Sequence, residues 1–207
     1  MKTKTLYFFI LLFAISTGCA KIYYSSDAKT IAKNHQIIAI APPNVSIAAR
    51  KKVDAAALIE QQRTESKNFQ REMYSWMLKR KMQGKIMVEI QDVETTNAKL
   101  KKAGYFDGTP LSPIEICELL KVDGIMTSNY SLSKPMSEGA AVALGLLVGV
   151  WGSTNEATCS ISIHDFNTKK MIWNFDHKLS GGTFSTPAQI VDALMRQASR
   201  NMPYITQ

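Results

Sequence analysis

The sequence predicts an α/β (α+β) fold, a single mixed β-sheet covered by helices in the order β-α-β-α-α-β-insert-β-β-α. Three observations carry that expectation. Gln36 to Ala41 is a continuous apolar run stopped by Pro42-Pro43, as in a strand buried on both faces. Asp54 to Gln83 contains neither Gly nor Pro and repeats apolar residues at helical spacing. Asn155 to Asp165 alternates apolar with polar residues, as a half-exposed strand does. Strands separated by helices first and a meander later imply one mixed sheet. The 207 residues, 45% hydrophobic and 20% charged, suffice for one globular domain and exclude a disordered chain or a multi-pass membrane protein.

The elements follow in order. The helix over Asp54–Gln83 carries Phe69, Met73, Trp76 and Met77 inward and stops at Gly84, while its polar middle, residues 60–68, is expected to project into water. Lys85 to Gln91 forms a second strand around Ile86, Val88 and Ile90. Asp92 caps a helix bearing Ala98 and Leu100 that closes at Gly104. After a loop with Asp107-Gly108 and Pro110, Ser112-Pro113 starts a helix to about Leu120. Val122 to Leu132 returns to extended structure. Ala157, Cys159, Ile161 and Ile163 form one face of the next strand, and Glu156, Thr158, Ser160 and Ser162 the other. Asn167 to Lys170 turns into Met171–His177, with Trp173 and Phe175 in period, making a hairpin. Ser185 or Thr186 caps a last helix from Pro187, with Ile190, Leu194 and Ala198, ending before Pro203.

Residues 1–18 have another purpose. Lys2 and Lys4 precede an apolar run from Leu6 to Ile15, then Ser16, Thr17 and Gly18 lead to Cys19. A positive start, a short apolar core and a small-residue exit make an export signal, and the run falls short of the roughly 20 residues of a permanent span. Ser16-Thr17-Gly18-Cys19 resembles the lipobox of bacterial lipoproteins, although Ser16 stands where leucine usually opens that motif. The resemblance implies cleavage before Cys19 and acylation of its thiol and new terminus; the alternative is a plain secreted protein with an incidental cysteine. Two or more acyl chains anchor durably where one is marginal. By the same resemblance, Ala20 in place of an aspartate implies the outer membrane, with the domain facing the periplasm. Residues 19–34 read as a tether and 35–207 as a single periplasmic domain.

Without Lys2 and Lys4, the mature chain keeps 23 of 25 basic residues against 17 acidic ones, a net charge of +6. Basic clusters at Arg50-Lys51-Lys52, Lys79-Arg80-Lys81 and Lys99 with Lys101-Lys102 either meet anionic headgroups or wall polymer or are solvated helix faces; nucleic acid is not an expected partner outside the cytoplasm. Cys117 and Cys159 both look core-facing, as buried free thiols or, less simply, as a disulfide.

The element order, together with IIAIAPP, LLKVDGIMTSNY, DFNTKKMIW and the terminal SRNMPY, resembles the periplasmic domain shared by CsgG, the N-terminal domain of TolB and the outer-membrane lipoprotein activators of penicillin-binding proteins, over roughly residues 35 to 205. Lys169 stands where such turns often carry glycine. The resemblance implies an assembly, activation or secretion-linked lipoprotein and no catalytic residue.

Between the third predicted strand and the hairpin lies an apolar insert, residues 139–152, with AAVALGLLVGVW from Ala140 to Trp151. As a helix it sets Ala141, Gly145 and Gly149 on one face, a small-residue stripe suited to close packing against its own domain, a second copy or a membrane surface. As a strand it sets Val142, Leu144, Leu146, Val148 and Val150 on one side, and by resemblance to CsgG would supply a pore strand.

His35, His164 and His177 lack HExxH spacing, there is no CxxC, GxSxG or GxxxxGK[ST] motif, and Asp92 and Asp107 are explained as a cap and a turn former. The expectation is therefore a lipid-anchored, non-enzymatic binding, assembly or activation factor. No metal, cofactor or small-molecule substrate is expected, and the partner is another envelope protein or a second copy. The alternatives are an oligomeric secretion-channel subunit and an envelope hydrolase with an unrecognised site.

Overall fold

The computed structural model describes residues 20–48, 54–133, 155–182 and 186–206. The predicted class holds. A seven-stranded mixed sheet is formed by β1 (Lys21–Tyr24), β2 (Ile37–Ile40), β3 (Asn44–Ile47), β4 (Glu89–Ile90), β5 (Gly124–Leu132), β6 (Asn155–Asp165) and β7 (Met171–Gly182). Its helices are α1 (Ala28–Asn34), α2 (Ala55–Met82), α3 (Val93–Lys102), α4 (Pro113–Leu120) and α5 (Pro187–Ala198), with a 3₁₀ turn at Tyr105–Asp107. The strand order is β1-β7-β6-β5-β2-β4, and β3 pairs with β5. β2, β3, β4 and β5 run parallel where they pair, and β5, β6, β7 and β1 form the antiparallel half.

Local chemistry explains the boundaries. Asp54 accepts from the Ala56 amide at the start of α2, and Asp92 accepts from the Thr95 amide at 2.7 Å. Ser112 and Glu115 complete a reciprocal capping box beside Pro113, and Thr186 caps α5 just before Pro187. Lys169 in the β6–β7 turn adopts the left-handed conformation, φ 59°, with its ammonium 3.5 Å from the centre of the Phe166 ring.

Each face of the sheet has its own core. α2 and α5 cover one face, where Phe69 stacks on Tyr130 with ring centroids 4.1 Å apart and Met73, Trp173 and Phe175 are buried. α3 and α4 cover the lower part of the other face, the part at the N-terminal ends of β2 and β5, through Leu100, Ile116, Cys117 and Leu120 against Ala39 and Ile125. Cys159 belongs to the first core and Cys117 to the second, so the sheet separates them; both are free thiols.

Four expectations need correction. Residues 21–34 are not a tether: Lys21 to Tyr24 pair in register with Asp176 to Trp173 of β7, and Ala28 and Ala32 of α1 are buried. Aromatic and β-branched side chains in IYY favour the edge of β7, and two buried alanines give α1 its apolar side. Residues 60–68 do not stand free in water, since Glu65 is buried and the Ser66 hydroxyl donates to the Pro43 carbonyl. The predicted second strand shrinks to two paired residues because Ile86 bridges to Ile205 of the C-terminal tail instead. Leu100 is buried as expected, whereas Ala98 is exposed. The sequence reading also missed β3, which resumes beside the upper half of β5 after the diproline interrupts β2.

Candidate functional site

The side chains best placed for chemistry are already engaged with one another. His35, which follows α1, donates or accepts at both ring nitrogens, with Nε2 2.8 Å from Asp165 Oδ1 and Nδ1 2.7 Å from the Tyr204 hydroxyl. Asp165 Oδ2 accepts from the Thr168 amide and hydroxyl. Burial raises the Asp165 pKa, but the hydrogen bonds from Thr168 and His35 outweigh it and hold the carboxyl below its ordinary value. Burial pushes the Tyr204 phenol well above its ordinary value. Gly124 supports the cluster: a Cβ there would meet His35 Cε1 at 2.8 Å and Nδ1 at 2.9 Å. His35, Asp165 and Tyr204 are all buried, so the cluster ties the N-terminal helix, the hairpin turn and the C-terminal tail together rather than facing a ligand. The thiols are equally withdrawn, with burial pushing Cys117 and Cys159 up to about 12.

The open surface lies elsewhere. On the face away from α2, no helix among the described residues lies over the upper half of the sheet, and register sets three rows of polar side chains across neighbouring strands. Tyr23, Asn174, Ser162 and Thr127 form one row. Lys21, Asp176, Ser160, Asn129 and Asn44 form the next, and Lys178, Thr158, Ser131 and Ser46 the third. Each is exposed or half-buried. Asn174 donates to the Ser160 and Ser162 hydroxyls, and Asn44 to the Asn129 side chain at 3.1 Å. Charge is balanced: Lys21 sits opposite Asp176, and Lys178 is 2.6 Å from Glu156.

Beyond Asn44 the face meets a groove of about 840 Å³ between the first half of α2, the diproline loop, α3 and the turn at 105–111. Arg63, Lys67, Arg71 and Lys101 alternate there with Glu60, Glu94 and Asp107. Asn97 of its lining exchanges side-chain amide bonds of 2.8 and 3.1 Å with the buried Gln70, which also donates to the Ile40 carbonyl, fixing α2 to α3 and β2. Tyr105 and Phe106 pack edge to face, and burial raises the Tyr105 phenol. Such an arrangement offers hydrogen-bond donors, acceptors and both signs of charge over a broad surface, which suits recognition of a polar macromolecular surface.

Cys19, Ala141, Gly145 and Gly149 lie outside the described residues, as does Arg50-Lys51-Lys52. The ends of the segment holding Ala141, Gly145 and Gly149 are described: Leu132 pairs with Ala157 and Asn155 with Gly182, at the sheet end toward which β1 begins. Two other basic clusters are partly structural. Lys81 binds Glu89 at 2.8 Å and the carbonyls of Met87 and Val88, Arg80 lies over the Trp76 ring, and Lys99 donates to the Leu120 carbonyl at the end of α4. His164 is half-buried and His177 buried, and burial lowers both pKa values. No helix among the described residues is long and apolar enough to cross a membrane, and those residues contain no cluster of three metal-ligating side chains.

The sequence reading placed Glu156, Thr158, Ser160 and Ser162 on one exposed side but missed the matching alternation of Thr127, Asn129 and Ser131 and the alignment of the two strands into one polar face. It also missed the His35 cluster, whose members are 130 and 169 residues away from His35.

No family model and no curated protein matches the chain. Among solved structures it is similar to the lipoprotein GNA1162 from Neisseria meningitidis, at 12% identity and a TM-score of 0.45, over 79% of this chain and 98% of that one. It is also similar to the PelC dodecamer from Paraburkholderia phytofirmans, at 8% identity and 0.41, over 92% and 100%. The C-terminal domain of LpoB from Salmonella enterica matches at 10% identity and 0.33, over 73% and 94%. At these identities and scores none of them assigns a function to this chain.

Proposed function

We propose that this protein is a lipid-anchored outer-membrane lipoprotein that binds another envelope protein as a non-enzymatic assembly or activation factor. One combination carries the reading. An export leader ends at Cys19, and the domain that follows presents an open hydrogen-bonding face and groove while His35, Asp165, Cys117 and Cys159 are held in the interior. The polar rows and the groove are the proposed contact surface, recognising a partner by hydrogen bonds and paired charge. Ala141, Gly145 and Gly149 remain proposed contacts for a second copy or the membrane, since the chain leaves for them at Ser133 and returns at Asn155.

Metabolic labelling with a palmitate analogue, followed by membrane fractionation in a bacterial host, tests the anchor. The wild-type chain is expected to be labelled and membrane-bound, and Cys19→Ser unlabelled and released. An unlabelled wild-type product overturns the reading. Crosslinking from positions 129 and 67 tests the surface: a captured envelope protein supports it. Capture of the chain's own copies alone, in rings, would favour the channel subunit instead.

A further inference from the structure

The fold begins almost at the modified cysteine. Ala20 already packs against the main core, and Lys21 is paired with Asp176, so one residue separates Cys19 from the sheet. Two residues reach about 7 Å at most, which leaves no tether. β1 runs antiparallel to β7, so its first residue points toward the sheet end where Leu132, Ala157 and Leu179 stand side by side. We propose that this end of the sheet rests directly on the lipid surface and that the anchor therefore fixes the orientation of the whole domain. The proposal rests on acylation of Cys19.

The chain beyond the described N-terminus leaves from this end, and that argues for lipid as the occupant. Among the described residues at this end charge is balanced, Lys21 lying opposite Asp176 and Lys178 pairing with Glu156, and contact is imposed by the acyl chains, attached two residues from the sheet, and not by anionic headgroups. The basic and apolar surface formed by Lys79, Lys85, Met82 and Met87 lies at the other end. Lys21 is level with Asn129, five residues above Gly124 on β5, and Met87 lies three residues before Ile90, itself level with Gly124. At about 3.3 Å per residue the two ends are separated by roughly 25 Å along the strands. Met82 and Met87, 89% and 73% exposed, then face away from the anchoring membrane, toward the space where a partner would approach.

The test uses full-length lipidated protein in vesicles of phosphatidylcholine alone and of phosphatidylcholine with phosphatidylglycerol. Lys21→Cys and Met87→Cys each receive a nitrobenzoxadiazole label, with Cys117 and Cys159 buried and Cys19 acylated. Nitroxide-headgroup lipid is expected to remove most of the fluorescence at position 21 and leave position 87 unchanged, equally in both vesicles and at high salt. A flexible eight-residue Gly/Ser insertion between Ala20 and Lys21 is expected to restore the signal at 21 without releasing the protein, since such a linker spans about 16 Å. If position 21 stays bright while mass spectrometry shows the acyl chains and the protein floats with vesicles, the orientation is wrong and the anchor stands. Quenching at 87, or quenching at 21 only with phosphatidylglycerol, also overturns the proposal. Absence of acyl chains overturns the anchor itself.

Discussion

Gly124→Ala probes the junction that closes the domain on itself. The new methyl would lie 2.8 Å and 2.9 Å from two atoms of the His35 ring and 3.0 Å from the Tyr204 hydroxyl. The ring cannot swing away freely, because Asp165 and Tyr204 hold its two nitrogens at 2.8 and 2.7 Å. Overpacking a filled interior costs about 1–3 kcal/mol. If the ring moves to relieve the clash, buried groups lose partners at about 1–3 kcal/mol each, against which Gly→Ala regains about 0.4–1 kcal/mol of unfolded-state entropy. The expected net loss is about 2–4 kcal/mol, read as a lower urea midpoint with unchanged slope and a Tm lower by about 10 °C. Tyr204→Phe alone is expected to cost about 1–3 kcal/mol by leaving His35 Nδ1 unpaired. The double variant should be less destabilised than the sum, since removing the hydroxyl also removes one of the three close contacts. A Gly124→Ala protein as stable as wild type, or strict additivity with Tyr204→Phe, would refute the reasoning.

Three further outcomes are expected. Phe69→Ala, which removes a fully buried ring stacked on Tyr130, should cost about 4 kcal/mol by the core-truncation range, seen in urea unfolding; a loss below about 1 kcal/mol would mean the stack contributes little. Burial lowers the His177 pKa from its ordinary 6.5, so folding favours the neutral ring, and stability should fall as pH drops below about 6.5 toward the folded-state value. Asp165 acts with the same sign in a lower window: the stability from its depressed pKa is present above about 3.8 and is lost as pH falls further through the folded value. Urea midpoints at pH 7.5 and 5.5 should therefore differ less in His177→Leu than in wild type; an equal difference would remove His177 from the account. Cys117 and Cys159 should resist a thiol reagent in the folded protein and react in urea, and rapid labelling of either in the native state would contradict their burial.

Periodicity made much of this fold legible. The alternation at 155–165 and at Trp173 and Phe175 specified which side of each strand is buried, because side chains on a strand alternate faces wherever it pairs. The caps at Asp92, Ser112 and Thr186 were readable because a cap is a bond between residues two or three positions apart. β1 was not: KIYY becomes a strand only because β7 offers it an edge 150 residues later, and nothing local distinguishes it from a linker. β3 and the shortened β4 fail for the same reason, their pairing being decided by β5 and by Ile205.

The candidate surface divides along the same line. The sequence by itself carries the short apolar run that leads to Cys19, the polar character of alternate positions in β5 and β6, and the small residues at 141, 145 and 149, all of which are patterns within a short stretch of chain. Only the tertiary structure decided that the polar positions of neighbouring strands line up as rows, that Lys21 follows Cys19 into the sheet without slack, and that His35 meets Asp165 and Tyr204. Contacts between distant residues depend on strand register and helix docking, which are set by burial over the whole chain and leave no mark on the residues that meet.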